Sequence, residues 1–151
     1  MTSERSTTSN TTPLDTLALT HGLIIRQPWL DRILEGQKTW EIRGTNTQIR
    51  GPIALIQSGL GRIVGLVHLV DVQRLSAEAF HAGVAHHTIT DWAQHSLPYP
   101  TCYAWVLAHP IRLPQSIAYT HPRGAVRWVR FRPPLAVAPP SKGGFDLYGD
   151  P

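Results

Sequence analysis

Gly22-Leu23-Ile24-Ile25-Arg26-Gln27-Pro28-Trp29-Leu30-Asp31-Arg32-Ile33-Leu34-Glu35-Gly36-Gln37-Lys38-Thr39-Trp40-Glu41-Ile42-Arg43 packs a strand, a helix and a second strand into 22 residues. Residues 23–25 are an apolar run of strand type. Pro28 has no backbone N–H to donate, so the strand stops before it, while its fixed φ suits the first turn of a helix. From there the apolar positions fall at Trp29, Leu30, Ile33 and Leu34, the one-face spacing of an amphipathic helix, with Asp31, Arg32 and Glu35 opposite. Gly36 supplies the left-handed cap that ends the helix. Lys38, Glu41 and Arg43 then cluster just past the turn.

Working outward, the remaining pattern is mostly strands. Residues 52–57 form a short apolar strand between Gly51 and Gly59, and residues 62–72 a longer one whose nearly continuous apolar content suits burial on both faces. Gly65 inside it points to a bulge, which a small barrel needs in order to close. Residues 75–85 read as a helix with Ser76 as its N-cap, and Thr90 or Asp91 can cap a shorter one through Trp92 and Ala93. Residues 102–109 and 125–131 read as strands joined by the proline-rich connection 110–122. About five or six strands with two or three short helices fit a mainly-β small barrel with peripheral helices. Residues 1–18 read as a flexible tail, 19–132 as the domain, and 133–151, with Pro133-Pro134, Pro139-Pro140 and Gly143-Gly144, as an extended arm in which Phe145, Leu147 and Tyr148 are the docking candidates.

A chain of 151 residues is most simply one such domain. It has no apolar stretch of about 18 residues, the length needed to span a membrane as a helix, and Met1-Thr2-Ser3-Glu4-Arg5 lacks the order of a secretory signal. A cytoplasmic protein without membrane contact is expected. The single Cys102 excludes an internal disulfide and sits in an apolar run, where it reads as a small buried hydrophobe. Net charge is +4, but its distribution is more telling: residues 92–145 contain no Asp or Glu, yet hold Arg112, Arg123, Arg127, Arg130, Arg132 and Lys142. Such a field attracts phosphate-bearing partners.

A lysine placed directly after the glycine turn is open to partial desolvation at the mouth of a cleft, which lowers its pKa and makes it a base or a phosphate ligand. Strand parity alone puts Lys38 and Ile42 on one face and Glu41 and Arg43 on the other, so their convergence requires the turn to break that parity. The plainer alternative is a surface Lys38 with a Glu41–Arg43 ion pair on the outer face, worth little. Gln27 is a specificity candidate, since an amide between an apolar strand and Pro-Trp must find partners and can read a base edge. No histidine or carboxylate spacing fits a metal site, and no cofactor is expected.

The Gln27-Pro28-Trp29 and Gly36-Gln37-Lys38 turns, with Glu41 and Arg43, resemble the ASCH domain, a member of the PUA-like superfamily of small β-barrels. Two later segments share the likeness: Tyr103-Ala104-Trp105-Val106-Leu107, and His121-Pro122-Arg123-Gly124-Ala125-Val126-Arg127-Trp128. The resemblance implies a ligand cleft between the sheet and the helices, lined by these segments. It implies a ligand of RNA, single-stranded nucleic acid or a modified nucleoside; the residues expected to bind it are Arg26, Gln27, Trp29, Lys38, Arg43, Tyr103 and Trp128, with Arg123, Arg127 and Arg130 extending a phosphate track from the cleft. One bacterial branch of the family hydrolyses N4-acetylcytidine with a Lys, a Thr and a Glu. Lys38 matches its lysine, but Glu41 stands where its threonine would be, and no carboxylate follows Glu78 where its acid would be. Hydrolysis of an acylated nucleoside therefore calls for a rearranged set, with Lys38 and Glu41 as catalytic candidates. Ribonuclease chemistry is the other hydrolytic alternative, for which His86 or His87 can supply acid and base beside Lys38 and Arg43. A protein-interaction module with a basic face is the third reading.

Overall fold

The structure, a computed structural model, describes residues 16–91 and 97–140. One mixed sheet organises it, built from β1 (Leu17–Ile25), β2 (Trp40–Arg43), β3 (Gly51–Gln57), β4 (Arg62–Leu75), β5 (Cys102–Ile117) and β6 (Trp128–Val137). The spatial order is β2-β5-β4-β3-β1-β6. Among the described residues three short helices accompany it: α1 (Trp29–Leu34), α2 (Ala77–Ala82) and α3 (Val84–His87). The mainly-β expectation holds. The sheet is not closed, however: β2 and β6 are its two edges, so the barrel of the sequence reading is a curled open sheet.

β1 and β3 run parallel, and every other pairing is antiparallel. Parallel neighbours need a crossover, and here α1 and β2 form part of it. The helix buries Leu30, Ile33 and Leu34 against Leu23, Ile25, Leu55, Val67 and Trp105. A second cluster lies on the opposite side, where Leu19, Ala54, Ile56, Leu66, Val129 and Phe131 meet. Successive residues of β3 alternate between the two clusters: Ile53 and Leu55 join one, Ala54 and Ile56 the other. A strand buried on both faces reads as a continuous apolar run, which is the pattern of residues 53–56.

Gly65 lies where α1 meets β4. The register with β5 slips between Ile63 and Gly65 and twice more along β4, which bends the sheet. A Cβ at Gly65 would overlap the Leu34 side chain and come within 2.8 Å of the Ile111 carbonyl oxygen. Only glycine lets the helix, β4 and β5 approach so closely.

Several boundaries differ from the sequence reading. β6 does not stop at residue 132 but continues to Val137, pairing Leu135, Ala136 and Val137 with Leu19, Ala18 and Leu17. The sheet therefore takes residues 17–18 from the expected tail and 133–137 from the expected arm, with Leu17, Leu19 and Val137 buried. Pro133 and Pro134 are compatible with this because they fall where the ladder is interrupted, between the His21–Arg130 and Leu19–Leu135 pairs. Likewise β5 runs on to Ile117 through Pro110 and Pro114, since β2 pairs only with residues 103–106 and leaves the rest of that side open.

The expected helix 75–85 starts as read, with Ser76 Oγ accepting the Ala79 N–H at 3.0 Å, but breaks at Gly83. There the Trp40 ring occupies the space a Cβ would need. The expected helix through Trp92 and Ala93, residues 1–15 and 141–151 of the two tails, and the docking of Phe145, Leu147 and Tyr148 lie outside the described residues. Among the described residues no helix is long and apolar enough to cross a membrane.

Gly65→Ala should lower stability by about 1–3 kcal/mol, the cost of overpacking a filled contact, read as a fall in the urea midpoint at unchanged slope. A midpoint equal to wild type would contradict the close approach of α1 to β4.

Candidate functional site

The site begins at the end of α1. Gly36 takes φ +84, and the N–H groups of Gln37 and Lys38 both donate to the Arg32 carbonyl, at 2.9 and 3.0 Å. Lys38 thus belongs to the helix terminus and precedes β2. Thr39 is pinned on both sides, its N–H donating to the His86 carbonyl at 2.9 Å and its carbonyl accepting the Leu107 N–H at 2.8 Å. Strand parity consequently does not reach back to Lys38, and its side chain converges with Glu41 and Arg43.

Lys38 is only 2 % exposed. Its Nζ donates to the His87 carbonyl at 2.6 Å and lies 4.8 Å from the centre of the Trp29 ring. Burial pushes its pKa down to about 8; the Glu41 carboxylate pulls the other way, and Arg32 and Arg43 add to the lowering. The surface-lysine alternative is therefore excluded. Removing an ammonium from water costs several kcal/mol unless it keeps donors and charges satisfied, so this placement demands partners.

Those partners are ordered in turn. His87 is fully buried; its Nδ1 accepts the Ile89 N–H at 2.9 Å, so Nε2 carries the proton and donates to the Phe80 carbonyl at 2.7 Å. Burial holds its pKa below the usual histidine value. Glu41 is buried beside Arg43, whose Nε donates to Oε2 at 2.8 Å while another guanidinium nitrogen donates to the Ile24 carbonyl at 3.1 Å. The guanidinium also lies 5.5 Å from the Trp105 ring, and Trp105 stacks on Trp128 at 5.5 Å. Two residues of β2, a helix terminus and the end of β1 thus hold one polar wall.

The wall opens on a cavity of about 470 Å³, within the ~300–1,000 Å³ typical of small-molecule sites. Of the residues expected at the site, Arg26, Trp29, Lys38, Glu41 and Arg43 line it together. Gln27 does not: its amide is turned onto Asp31, with Nε2 donating to the carboxylate and Oε1 accepting the Asp31 N–H, both at 3.0 Å, which caps the first turn of α1. Tyr103 is half-buried on β5 opposite Arg43. Trp128 and Arg130 line a different cavity, and Arg123 and Arg127 are exposed on the segment leading into β6. Neither His86 nor His87 reaches the cleft. His86 is exposed and stacks on Trp40 at 4.6 Å, while His87 is the buried support of Lys38.

Sequence reasoning missed Ser58, Ile89, Asp91, Pro98 and Tyr99, which also line the cavity, whereas Val126 falls in a segment expected to line it. Tyr99 carried a weak signal, because prolines on both sides of it mark an exposed turn. Its ring fills the space beside Gly44, where a Cβ would come within 2.9 Å. Cys102 is buried and its thiol pKa is raised by burial, so it serves as packing.

The ASCH domain family model matches residues 23–115. Among solved structures the chain is similar to ASCH from Zymomonas mobilis, with a TM-score of 0.57 over 74% of this chain and 87% of that one. Two mutants of that protein give TM-scores of 0.58, covering 89% and 87% of their chains. Identity is 11% in each case, a likeness of fold. No curated protein matches the chain.

The lowered Lys38 pKa has a stability consequence. The folded protein releases this proton near pH 8 and the unfolded chain near 10.5, so the unfolded state binds more protons between those values and stability rises with pH there. The contribution is complete above the unfolded value and lost as pH falls through the folded one. Urea unfolding of wild type and Lys38→Met from pH 7 to 10.5 should show the wild type gaining on the variant by on the order of 3 kcal/mol. Parallel curves would place Lys38 in water.

Proposed function

The chain belongs to the ASCH domain family, and from that premise we propose that it binds single-stranded RNA or a modified nucleoside, with one base held in the Lys38 cleft. The observation that carries this reading is the convergence of a desolvated lysine, a fixed Glu41–Arg43 pair and the Trp29 and Tyr99 rings on one cavity of nucleoside-compatible size. Lys38 and Arg26 supply cationic groups for phosphate or carbonyl oxygens. Glu41 offers an acceptor for a base N–H, since Arg43 occupies only Oε2. Because the pair is already formed, little reorganisation accompanies binding, and the aromatic rings add sequence-tolerant stacking surface.

A hydrolase reading has one observation in its favour, the Lys38 pKa of about 8, which suits a general base near neutral pH. Against it, the Glu41 carboxylate is engaged by Arg43, and no histidine among the described residues lines the cleft. Binding without turnover is the better-supported conclusion.

Titration of short single-stranded RNA at two salt concentrations tests it. Affinity should fall steeply with salt, and Lys38→Ala should cost about tenfold or more, in keeping with a lost charge-assisted hydrogen bond. Arg74→Ala, which removes the same charge from an exposed position on β4, should cost much less. Equal losses would rule out a Lys38-centred site. If N4-acetylcytidine is instead turned over, kcat/KM should rise through an apparent pKa near 8, and Lys38→Arg should retain binding while losing turnover.

A further inference from the structure

A second cavity, of about 810 Å³, opens beside β6. Its aromatic surface comes from Tyr119, Trp128 and Phe131, and its charge from Arg130 and Arg132. Among the described residues no carboxylate lines it, and residues 92–145 of the sequence contain none. Among the described residues neither arginine pairs with an acid. Trp128 is held in place from behind: it stacks on the buried Trp105, and the His21 ring meets it edge-on at 5.7 Å. A ring fixed in this way loses little entropy when another flat group packs on it.

The groove is also next to the cleft. Val126, 80 % exposed, stands on the cleft rim, and Trp128 lines the groove. Two residues of backbone span at most about 7 Å, the rise of about two nucleotides at the stacked spacing of ~3.4 Å. Arg127 lies between them, exposed, with its carbonyl accepting the Ile24 N–H at 2.9 Å so that the ridge is tied to β1.

We infer that this groove is a second nucleotide subsite, stacking a base against Trp128 and holding phosphates on Arg130 and Arg132. The ligand is then a single-stranded polynucleotide that crosses the Arg127 ridge, and a free nucleoside fills only half of the available surface. The inference rests on the reading of the Lys38 cleft as a nucleotide site. It goes beyond that reading by assigning the neighbouring nucleotides a place. A proline-rich peptide would use the aromatic surface but leave the two arginines unmatched, so the charge favours a polyanion.

The test compares the full chain's affinity for a mononucleotide with that for RNA oligomers of increasing length. Affinity should climb about tenfold or more once the oligomer reaches the groove, as expected for an added stacked base. Arg130→Gln combined with Arg132→Gln, both at exposed positions that do not threaten folding, should abolish that gain and reduce the salt slope by about 1.4 for two single-strand phosphates. Mononucleotide binding should be unchanged in this variant and lost in Lys38→Ala. A double variant that keeps the length gain, or a wild type without one, overturns the second subsite while leaving the cleft reading intact. Failure of both ligands to bind overturns both. A proline-rich peptide that binds the groove and is not displaced by RNA overturns the subsite as well. Oligomer binding that needs the arginines but not Lys38 supports the groove and overturns the cleft.

Discussion

The ammonium of Lys38, withdrawn from water and donated to the His87 carbonyl, constrains everything around it. A charge in that position is tolerated only while its acceptor, its aromatic neighbour and its carboxylate stay in place. The acceptor comes from α3, the aromatic ring from α1 and the carboxylate from β2. His87 shows how far the requirement extends, since both of its ring nitrogens are used to hold α3 against α2 and the following turn. One buried cation therefore links three peripheral elements into a wall with a defined shape.

That wall needs a rigid base, which the central strands provide. β3 buries both of its faces, so it cannot slip by one residue without moving each apolar side chain into the wrong cluster. The parallel pairing of β1 with β3 places the C-terminal end of β1 beside the crossover helix, and the Ile24 carbonyl becomes available to Arg43. Gly65 allows α1 to settle close to β4. The position of Lys38 at the end of α1 follows from that contact.

Charge and aromatic surface are distributed so that the two cavities flank one short segment, residues 126–128. On one side the polar groups are desolvated and paired, an environment suited to selecting a single group. On the other the arginines are exposed and the rings are broad, which suits tolerant, salt-dependent contact. Trp105 connects the two physically, with the Arg43 guanidinium on one neighbour side and Trp128 stacked on it.

Much of this was legible in residues 22–43. Pro28 and Gly36 bound the helix because each restricts or frees the backbone locally, and the apolar spacing of Leu30, Ile33 and Leu34 identified the face that packs. The nearly continuous apolar run 62–72 announced a strand covered on both sides, which holds for residues 63–69 but not for the exposed Val70 and Asp71, whereas β3, read only as a short apolar strand, is buried on both faces. The family likeness and the mainly-β class rest on such local or near-local signals, whereas the convergence of Lys38 with Glu41 and Arg43 depends on the distant bonds of Thr39 to His86 and Leu107. By contrast, Gln27 looked free to read a ligand and is instead spent on Asp31, and Pro133-Pro134 looked like an arm and is instead part of an edge strand. By itself the sequence determined the elements, their apolar faces and the excess of positive charge in the C-terminal part, because backbone restriction and burial periodicity act over a few residues. Only the tertiary structure decided that the sheet stays open, that His87 supports Lys38, and that Ser58 and Tyr99 line the cleft. Those outcomes depend on contacts between residues distant in the chain, whose partners no local pattern specifies.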